Sequence, residues 1–297
     1  MRGVVPSYDL VAPASLAEAL ALMAREPGVW TPFAGGTDLM VQFEAGHLPP
    51  GRYLSIWGLE ELDGIEVTAG AVRFGALATY ADIRDTPVVA ADLPMLVQAA
   101  HETGAVAIQN RGTLGGNIAN GSPAADSPPA LVAYDAELTL VSAAGSRSVA
   151  YRDFHTGYKQ MDLRPGELIS AVRVARRPVA DGWVHFYRKV GTRKFQAISK
   201  VCFAGAARVV AGVVHDVRVG LGSVAPTVLV ARHTEAALTA ASVGDPGLEG
   251  AAAAAMLRDV TPIDDVRSTA RYRGQVAANL ASAFVRALRA AAEAPVG

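Results

Sequence analysis

Short apolar stretches of helical and strand periodicity alternate along the first part of the chain. Residues 15–18 have a capping-box pattern, which begins an amphipathic helix that should end near residues 27–28. Residues 29–33 then have the pattern of a strand, residues 38–44 that of a short helix, and residues 52–57 that of a second strand. These elements predict a small βαβ-like unit.

From Leu62 onward the pattern changes to short strands and separate helices. Pro128 and Pro129 should break the chain before a hairpin that turns at residues 144–145. The predicted elements are strands at 64–67 and 72–76, helices beginning at Thr79 and covering 93–101, a hairpin of 131–142 with 146–151, and a strand at 167–174. Because strands and helices segregate, the pattern favours an α+β fold over a doubly wound parallel sheet.

The last third of the chain, from about residue 183, has the pattern of a separate domain. Three β-rich runs come first, and three helical runs follow them. The strands are predicted at 183–190, 200–210 and 213–222, and the helices at 228–240, 248–258 and 266–292. The simplest arrangement is a three-stranded antiparallel sheet covered by helices.

Composition narrows the possible functions. The chain has 297 residues, 51% hydrophobic and 19% charged, with a formal net charge of -1, so nothing indicates a nucleic-acid partner. The single cysteine, Cys202, lies in an apolar run and excludes an internal disulfide, a four-cysteine zinc site and a protein-ligated iron–sulfur cluster in this chain. The six histidines form no metal-binding motif, and no G-x-S-x-G serine-hydrolase motif is present.

No stretch has the pattern of a targeting or membrane segment. The apolar residues 16–24 are interrupted by Glu18 and lack a basic leader, so they do not match a signal peptide. No run approaches the roughly 20 apolar residues of a membrane span. We expect a cytoplasmic location and no catalytic residue or metal ligand in this chain.

Two glycine-rich loops carry the candidate chemistry. One occupies residues 33–39, and the other begins at Thr113 and continues to Asp126. Paired glycines allow positive φ and close approach of a ligand, so successive amides in each loop should form a nest for a phosphate. Thr37, Thr113, Asn117 and Asn120 add short polar side chains, and Asp126 can accept from a sugar hydroxyl. Ordinary turns are the alternative, but two such loops favour a pyrophosphate ligand. Neither loop fits the Rossmann or P-loop motif.

These loops resemble those of the FAD-binding subunits of the molybdenum hydroxylases, the family of xanthine dehydrogenase and carbon monoxide dehydrogenase. The matching pieces are AGGTDL at 34–39, IQNRGTLGGNIA at 108–119, SPAAD at 122–126 and YRKVG at 187–191. The resemblance spans nearly the whole chain. It implies a two-lobed FAD-binding domain of the PCMH (vanillyl-alcohol oxidase-like) type at 1–177, with lobes of about 1–57 and 58–177. A carbon monoxide dehydrogenase flavoprotein-like domain would cover 178–297.

The resemblance also implies which residues bind FAD. Thr103 stands where xanthine dehydrogenase has an aromatic residue, which implies a more polar flavin environment. The basic residue near the flavin is either Lys189, which we favour, or Arg188. The implied FAD-binding residues are Phe33, Ala34, Gly35, Gly36, Thr37, Asp38, Leu39, Met40, Thr103, Thr113, Leu114, Gly115, Gly116, Asn117, Asp126, Ile169 and Lys189.

The function that the resemblance implies is electron transfer in a heteromeric oxidoreductase. An iron–sulfur small subunit with 2Fe-2S clusters and a molybdopterin large subunit would be its partners, and the large subunit would oxidise the substrate. FAD would pass the electrons to an external acceptor such as NAD or a quinone. A free-standing flavin oxidase or dehydrogenase, or a non-catalytic binding protein on the same fold, are the alternatives.

Overall fold

The computed structural model describes residues 7–194 and 196–293, and three larger β-sheets with helices around them follow one another along this part of the chain. The predicted α+β class is confirmed. A separate two-stranded antiparallel sheet pairs β8 (His155–Gly157) with β9 (Gln160–Met161).

The first sheet is parallel, and its last strand in sequence lies at its centre. Its elements are β1 (Tyr8–Val11), α1 (Leu16–Arg25), β2 (Trp30–Phe33), α2 (Leu39–Glu44) and β3 (Gly51–Ser55), in the sheet order β1-β3-β2. The Ser15 hydroxyl accepts from the amide of Glu18 and so begins α1 at the predicted residue. The predicted βαβ-like unit is confirmed, and the first glycine loop joins β2 to α2.

The second sheet is antiparallel and carries the largest hydrophobic core. Its strands are β4 (Ile65–Val67), β5 (Ala71–Gly75), β6 (Glu137–Ser142), β7 (Gly145–Ala150) and β10 (Leu168–Ala175), in the order β4-β5-β10-β6-β7. Its helices are α3 (Tyr80–Asp85), α4 (Pro87–Asp92), α5 (Pro94–Glu102), α6 (Val106–Gln109), α7 (Leu114–Asn120) and α8 (Ser127–Ala133). Thr79 caps α3 in a full capping box with Asp82, as its sequence predicts. The short helices α4 and α6 were not predicted.

The region around Pro128 and Pro129 corrects the prediction of a chain break and of a strand from residue 131. Both prolines lie in the first turn of α8, where a missing amide removes no helical hydrogen bond. The helix therefore continues to Ala133, and β6 begins only at Glu137.

The third sheet is antiparallel and is covered by the last helices. The strands β11 (Trp183–Val190), β12 (Val201–Val210) and β13 (Val213–Gly222) confirm the three that were predicted. The helices are α9 (Arg232–Leu238), α10 (Leu248–Asp259) and α11 (Ala270–Glu293). The prediction that a helix begins at residue 228 was wrong, because Leu229–Val230 adds a fourth short strand, β14, to the edge of the sheet. Phe186, Phe203 and Phe284 pack between sheet and helix.

The third sheet is joined through α8 to the second sheet and its helices, which we call the second region. A Cβ at Gly220 of β13 would lie 2.4 Å from the carbonyl oxygen of Pro129, so glycine allows the helix backbone to contact the strand. This contact places the start of α8 beside the ends of β11 and β12. Although α11 has 24 residues, no helix within residues 7–194 and 196–293 is long and apolar enough to cross a membrane.

Candidate functional site

The two glycine loops lie in direct contact. We call residues 33–40 the first glycine loop and residues 113–120 the second. A Cβ at Gly35 would lie 1.5 Å from the carbonyl oxygen of Arg111, two residues before the second loop, so only glycine allows the two backbones to meet there. Arg111 Nε donates to the Gly35 oxygen over 3.4 Å, and Asn120 Nδ2 donates to Asp38 Oδ1 over 3.4 Å. The structure thus brings together the two loops that the sequence pairs.

The first glycine loop presents free backbone amides. Gly36 has a φ of +75°, and its Cα faces the ring of Phe33. Within the described residues, the amides of 35–38 donate to no protein acceptor, and α2 begins directly after them. Consecutive free amides that precede a helix suit an anion such as a phosphate. This loop therefore leaves open the backbone amides that an anion nest would use, and anion binding here stays a prediction.

The second glycine loop does not have this character, because its amides are already used within the protein. The Leu114 and Gly115 amides donate over 2.9 Å to Ala78 O and Ala76 O respectively. The Gly116 amide donates to Thr113 Oγ1 over 3.1 Å, and the Asn117 amide to Thr113 O over 2.9 Å. Thr113 is the N-cap of α7 and is buried. The prediction of a second amide nest is therefore wrong, since the chain satisfies these amides itself.

The adjacent glycines of the second loop have different surroundings. Gly115 is buried, and a Cβ there would lie 2.7 Å from that of Ala76. Gly116 is exposed, and a Cβ there would meet only the Thr113 hydroxyl, at 2.8 Å. Gly115 thus permits close packing of α7 on the chain beneath it. Gly116 leaves an open backbone surface that a ligand can approach.

Asp126 and Lys189 form a buried ion pair beside α7 and α8. Lys189 Nζ lies 2.7 Å from Asp126 Oδ2 and also donates to the Glu102 carbonyl oxygen over 2.9 Å. The hydroxyl of Thr103 lies 3.5 Å from the same Asp126 oxygen. Burial raises the pKa of Asp126 to about 6, and the Lys189 charge opposes this rise. Lys189, the basic residue that we favour near the flavin, is thus a member of this buried pair, whereas Arg188 is exposed.

One oxygen of this carboxylate has no partner. Asp126 Oδ1 is buried, and no hydrogen-bond donor reaches it among the described residues. A buried acceptor without a donor is unfavourable unless a ligand supplies one. The Asp126 side chain thus has an open acceptor that suits a hydroxyl or an N–H group of a ligand.

Two side chains behind the ion pair fix the backbone of Asp126. The Tyr187 hydroxyl donates to the Asp126 carbonyl oxygen over 3.1 Å, and Cys202 Sγ lies 3.2 Å from the same hydroxyl. Burial raises the pKa of both Tyr187 and Cys202 far above their usual values. Cys202 is therefore an unreactive core residue, as predicted. No role was predicted for Tyr187 beyond its place in the YRKVG motif.

A cleft of about 360 Å³ opens next to Asp126. Its walls come from the start of α6, the segment before α8 and the loop between β11 and β12. It is lined by Gly104, Ala105, Ile108, Ala124, Asp126, Gln196, Ala197 and Ile198. The cleft is largely apolar with one carboxylate, as is usual for a site that binds part of an aromatic cofactor.

The remaining predicted residues lie around these features. Ile169 is 6% exposed, in the same core as Leu114, and the neighbouring Ser170 carbonyl accepts the Ala76 amide over 3.0 Å. Asn117 Oδ1 accepts from Ser127 Oγ over 2.6 Å, which links the second glycine loop to α8. Ala34, Thr37 and Leu39 are half-buried in or beside the first loop, and Met40 is 47% exposed. Leu114 itself is fully buried and offers a ligand no side-chain surface.

One polar residue at the meeting point of the loops was missed. The Arg111 guanidinium lies 3.8 Å above the ring of Trp57, directly beside Gly35. Arg111 belongs to the quoted motif, but its position against the first loop depends on a contact between distant segments. Across the described residues, no group of three or more histidine, cysteine or acidic side chains could hold a metal ion.

Two protein-family models match this chain. A family model described as the FAD binding domain in molybdopterin dehydrogenase matches residues 6–176, and one described as the CO dehydrogenase flavoprotein C-terminal domain matches residues 185–288.

Relatives and solved structures cover almost the whole chain. The glyceraldehyde dehydrogenase medium chain of Sulfolobus acidocaldarius is 31% identical over 271 residues, 91% of this chain and 94% of its own. The xanthine dehydrogenase FAD-binding subunit of Escherichia coli O157:H7 is 32% identical over 262 residues, 88% of each chain. A chain of carbon monoxide dehydrogenase from Hydrogenophaga pseudoflava has a TM-score of 0.91 at 29% identity, covering 97% of this chain and 99% of that one.

Proposed function

Because this chain belongs to the family of FAD-binding medium subunits of the molybdenum hydroxylases, we propose that it carries electrons between partner iron–sulfur clusters and an external acceptor. The observation that supports an intact FAD site is the combination of free amides in the first glycine loop with the unpartnered Asp126 Oδ1. Both groups are donors or acceptors that the protein leaves open, and a dinucleotide offers partners to both.

The residues present fit FAD. The amides of residues 35–38 would bind its pyrophosphate, and the exposed backbone at Gly116 would allow its ribityl chain to approach. Asp126 would accept from a hydroxyl or ring N–H, and Lys189 would hold that carboxylate in place. Thr103 and Ile169 would lie near the isoalloxazine ring. We further propose residues 1–177 as the FAD-binding unit and 178–297 as the unit that supplies Lys189.

Partner subunits follow from the chemistry that this chain lacks. FAD supplies the exchange between one-electron and two-electron carriers. The only cysteine, Cys202, is buried and hydrogen-bonded, so this chain has no ligands for an iron–sulfur cluster. We therefore assign 2Fe-2S clusters to a small subunit and molybdopterin to a large one. The substrate would then be oxidised on the large subunit, and the acceptor would be NAD, a quinone or another oxidant.

An absorbance spectrum of the purified protein tests this function. The chain is purified alone and with its co-expressed neighbouring subunits, and bound flavin is released with acid and identified. We expect FAD in both preparations and iron–sulfur absorbance only in the second. Substrate turnover by the isolated chain would instead indicate a free-standing flavin oxidase. A folded, colourless protein in both preparations would leave only a non-catalytic binding protein.

A further inference from the structure

We propose that Arg111 is a phosphate-binding residue, whose guanidinium supplies the positive charge for the pyrophosphate of the bound dinucleotide. This inference rests on the proposed function, because it assumes that FAD lies against the first glycine loop. It adds a residue that the sequence motifs did not assign. The argument uses the position of Arg111, its open donors and the charges around it.

Arg111 is held at the junction of the two glycine loops by three contacts. Its carbonyl oxygen lies against the Cα of Gly35, its Nε donates to the Gly35 oxygen over 3.4 Å, and its guanidinium lies 3.8 Å from the centre of the Trp57 ring. Gly35 is also the first of the residues whose amides are free. The guanidinium is therefore fixed next to the amide nest, at the place where an anion would bind.

The two terminal nitrogens of Arg111 have no protein acceptor among the residues that the structure describes. Arg111 forms no ion pair there, although the carboxylate of Asp38 belongs to the same loop. Asp38 instead accepts from the side chains of Gln42 and Asn120. The Asp38 charge is thus held by neutral donors, and the guanidinium keeps its paired N–H groups for a ligand. Paired N–H donors match phosphate geometry better than a lysine ammonium does.

The backbone amides alone give a site with no formal positive charge. The pyrophosphate of FAD carries two negative charges, and Lys189 is already paired with Asp126. Of the cations described around the two loops, Arg111 is the one that contacts the first loop directly. Its attraction to the ligand acts at an exposed position and should weaken with ionic strength.

The alternative is that Arg111 only clamps the first loop through Trp57. The two roles can be separated, because Trp57→Leu removes the ring and keeps the charge, whereas Arg111→Met removes the charge and keeps much of the side-chain length. Arg111→Lys keeps the charge without the paired donors. Arg258→Met, in the exposed last turn of α10, is the matched control for loss of one arginine.

The experiment measures the Kd for FAD on the full chain, stripped of flavin with a chaotropic salt, at several NaCl concentrations. ADP-ribose, which has the pyrophosphate without the isoalloxazine, is titrated as a competitor. In Arg111→Met we expect the Kd for FAD and that for ADP-ribose to rise by a similar factor of about ten to one hundred. The dependence of Kd on salt should become shallower. Arg111→Lys should restore the salt dependence and part of the affinity, and Trp57→Leu should keep the wild-type salt dependence.

Two results would overturn the inference. In the first, Arg111→Met keeps the wild-type Kd and salt dependence. In the second, Arg111→Met raises the Kd but keeps the wild-type salt dependence, as Trp57→Leu does, which would make Arg111 only a clamp. Thermal melts of each variant, compared with Arg258→Met, show whether the chain is folded. A folded wild-type chain that binds neither FAD nor ADP-ribose would contradict the proposed function itself, and so is distinct from failure of the Arg111 variants alone.

Discussion

Lys189 and Asp126 form a buried ion pair, with 2.7 Å between Nζ and Oδ2 and side chains that are only 4% and 11% exposed. Lys189 lies in β11 of the third sheet, whereas Asp126 precedes α8 of the second region. The third sheet therefore supplies the cation that balances a carboxylate at the candidate FAD site. This gives the C-terminal region a direct role in the site.

We expect Asp126→Asn to change how stability depends on pH. Burial raises the pKa of Asp126 from 3.8 to about 6 in the folded protein, so the folded state binds this proton more tightly than the unfolded state. This contribution is complete below pH 4 and is lost as the pH rises through 6. The loss is about 3 kcal/mol, at 1.36 kcal/mol per pKa unit. Chemical unfolding of flavin-free protein from pH 4 to 7.5 should show that the variant lacks this fall.

Asp265→Asn provides a control of opposite sign. Burial raises the pKa of Asp265, but hydrogen bonds from the Arg267 amide, the Arg273 side chain and the Ser268 amide outweigh it and bring the pKa to about 2. Its stabilisation is present above the unfolded pKa and is lost as the pH falls through 2. Between pH 4 and 7.5 Asp265→Asn should therefore leave the fall in stability unchanged, and loss of this fall in Asp265→Asn would mean that the titration does not belong to Asp126.

Lys189→Met should destabilise the folded protein more at neutral pH than at pH 5. The change leaves the buried Asp126 charge without its partner, which typically costs about 3–5 kcal/mol. At pH 5 the carboxyl is protonated and the loss is smaller. The double variant Lys189→Met with Asp126→Asn removes both charges and should recover much of the stability. A double-mutant cycle of unfolding free energies measures this coupling, and strictly additive losses would argue against a coupled pair.

Gly35→Ala should separate the two glycine loops. The new Cβ would lie 1.5 Å from the Arg111 oxygen, so the loops must move apart, which costs about 1–3 kcal/mol. Gly58→Ala is the matched control, because Gly58 is exposed and its Cβ would meet nothing within 4 Å. The melting temperature and the FAD content per chain should both fall in Gly35→Ala and not in Gly58→Ala. Equal behaviour of the two variants would mean that the loop contact does not matter.

The sequence predicted local elements better than contacts between distant segments. Capping residues such as Ser15 and Thr79 act within one turn, and the helices that they begin are where the pattern places them. The prolines at 128–129 were misread because a proline is compatible with a first helical turn as well as with a break. The strand Leu229–Val230 has too few residues to show alternation, and its pairing with β13 depends on tertiary structure.

In the candidate site, too, local features were predicted better than contacts between distant segments. Glycine pairs indicated where the backbone would be accessible, and this holds at Gly36 and Gly116. The sequence could not show that the amides after Thr113 are satisfied by Ala76 and Ala78, because those acceptors lie in another segment. The contact of Arg111 with Gly35 was missed for the same reason. Spacing alone also left Lys189 and Arg188 open. In the structure Lys189 pairs with Asp126 and Arg188 is exposed, and the contact of Lys189 with the flavin stays a prediction.

Gly116→Val should remove FAD and leave the chain folded. Gly116 is exposed, and the added Cβ would meet only the Thr113 hydroxyl, so the stability loss should be that of a weakened helix cap, about 1 kcal/mol. The valine side chain would fill the open surface that a ligand backbone contact needs. Gly250→Val is the control, since Gly250 is an exposed glycine inside α10 with no atom near its Cβ. FAD content per chain, measured after acid release, should fall at least ten-fold for Gly116→Val and remain unchanged for Gly250→Val. A Gly116→Val protein that is folded and fully loaded with FAD would show that the cofactor does not approach the second glycine loop.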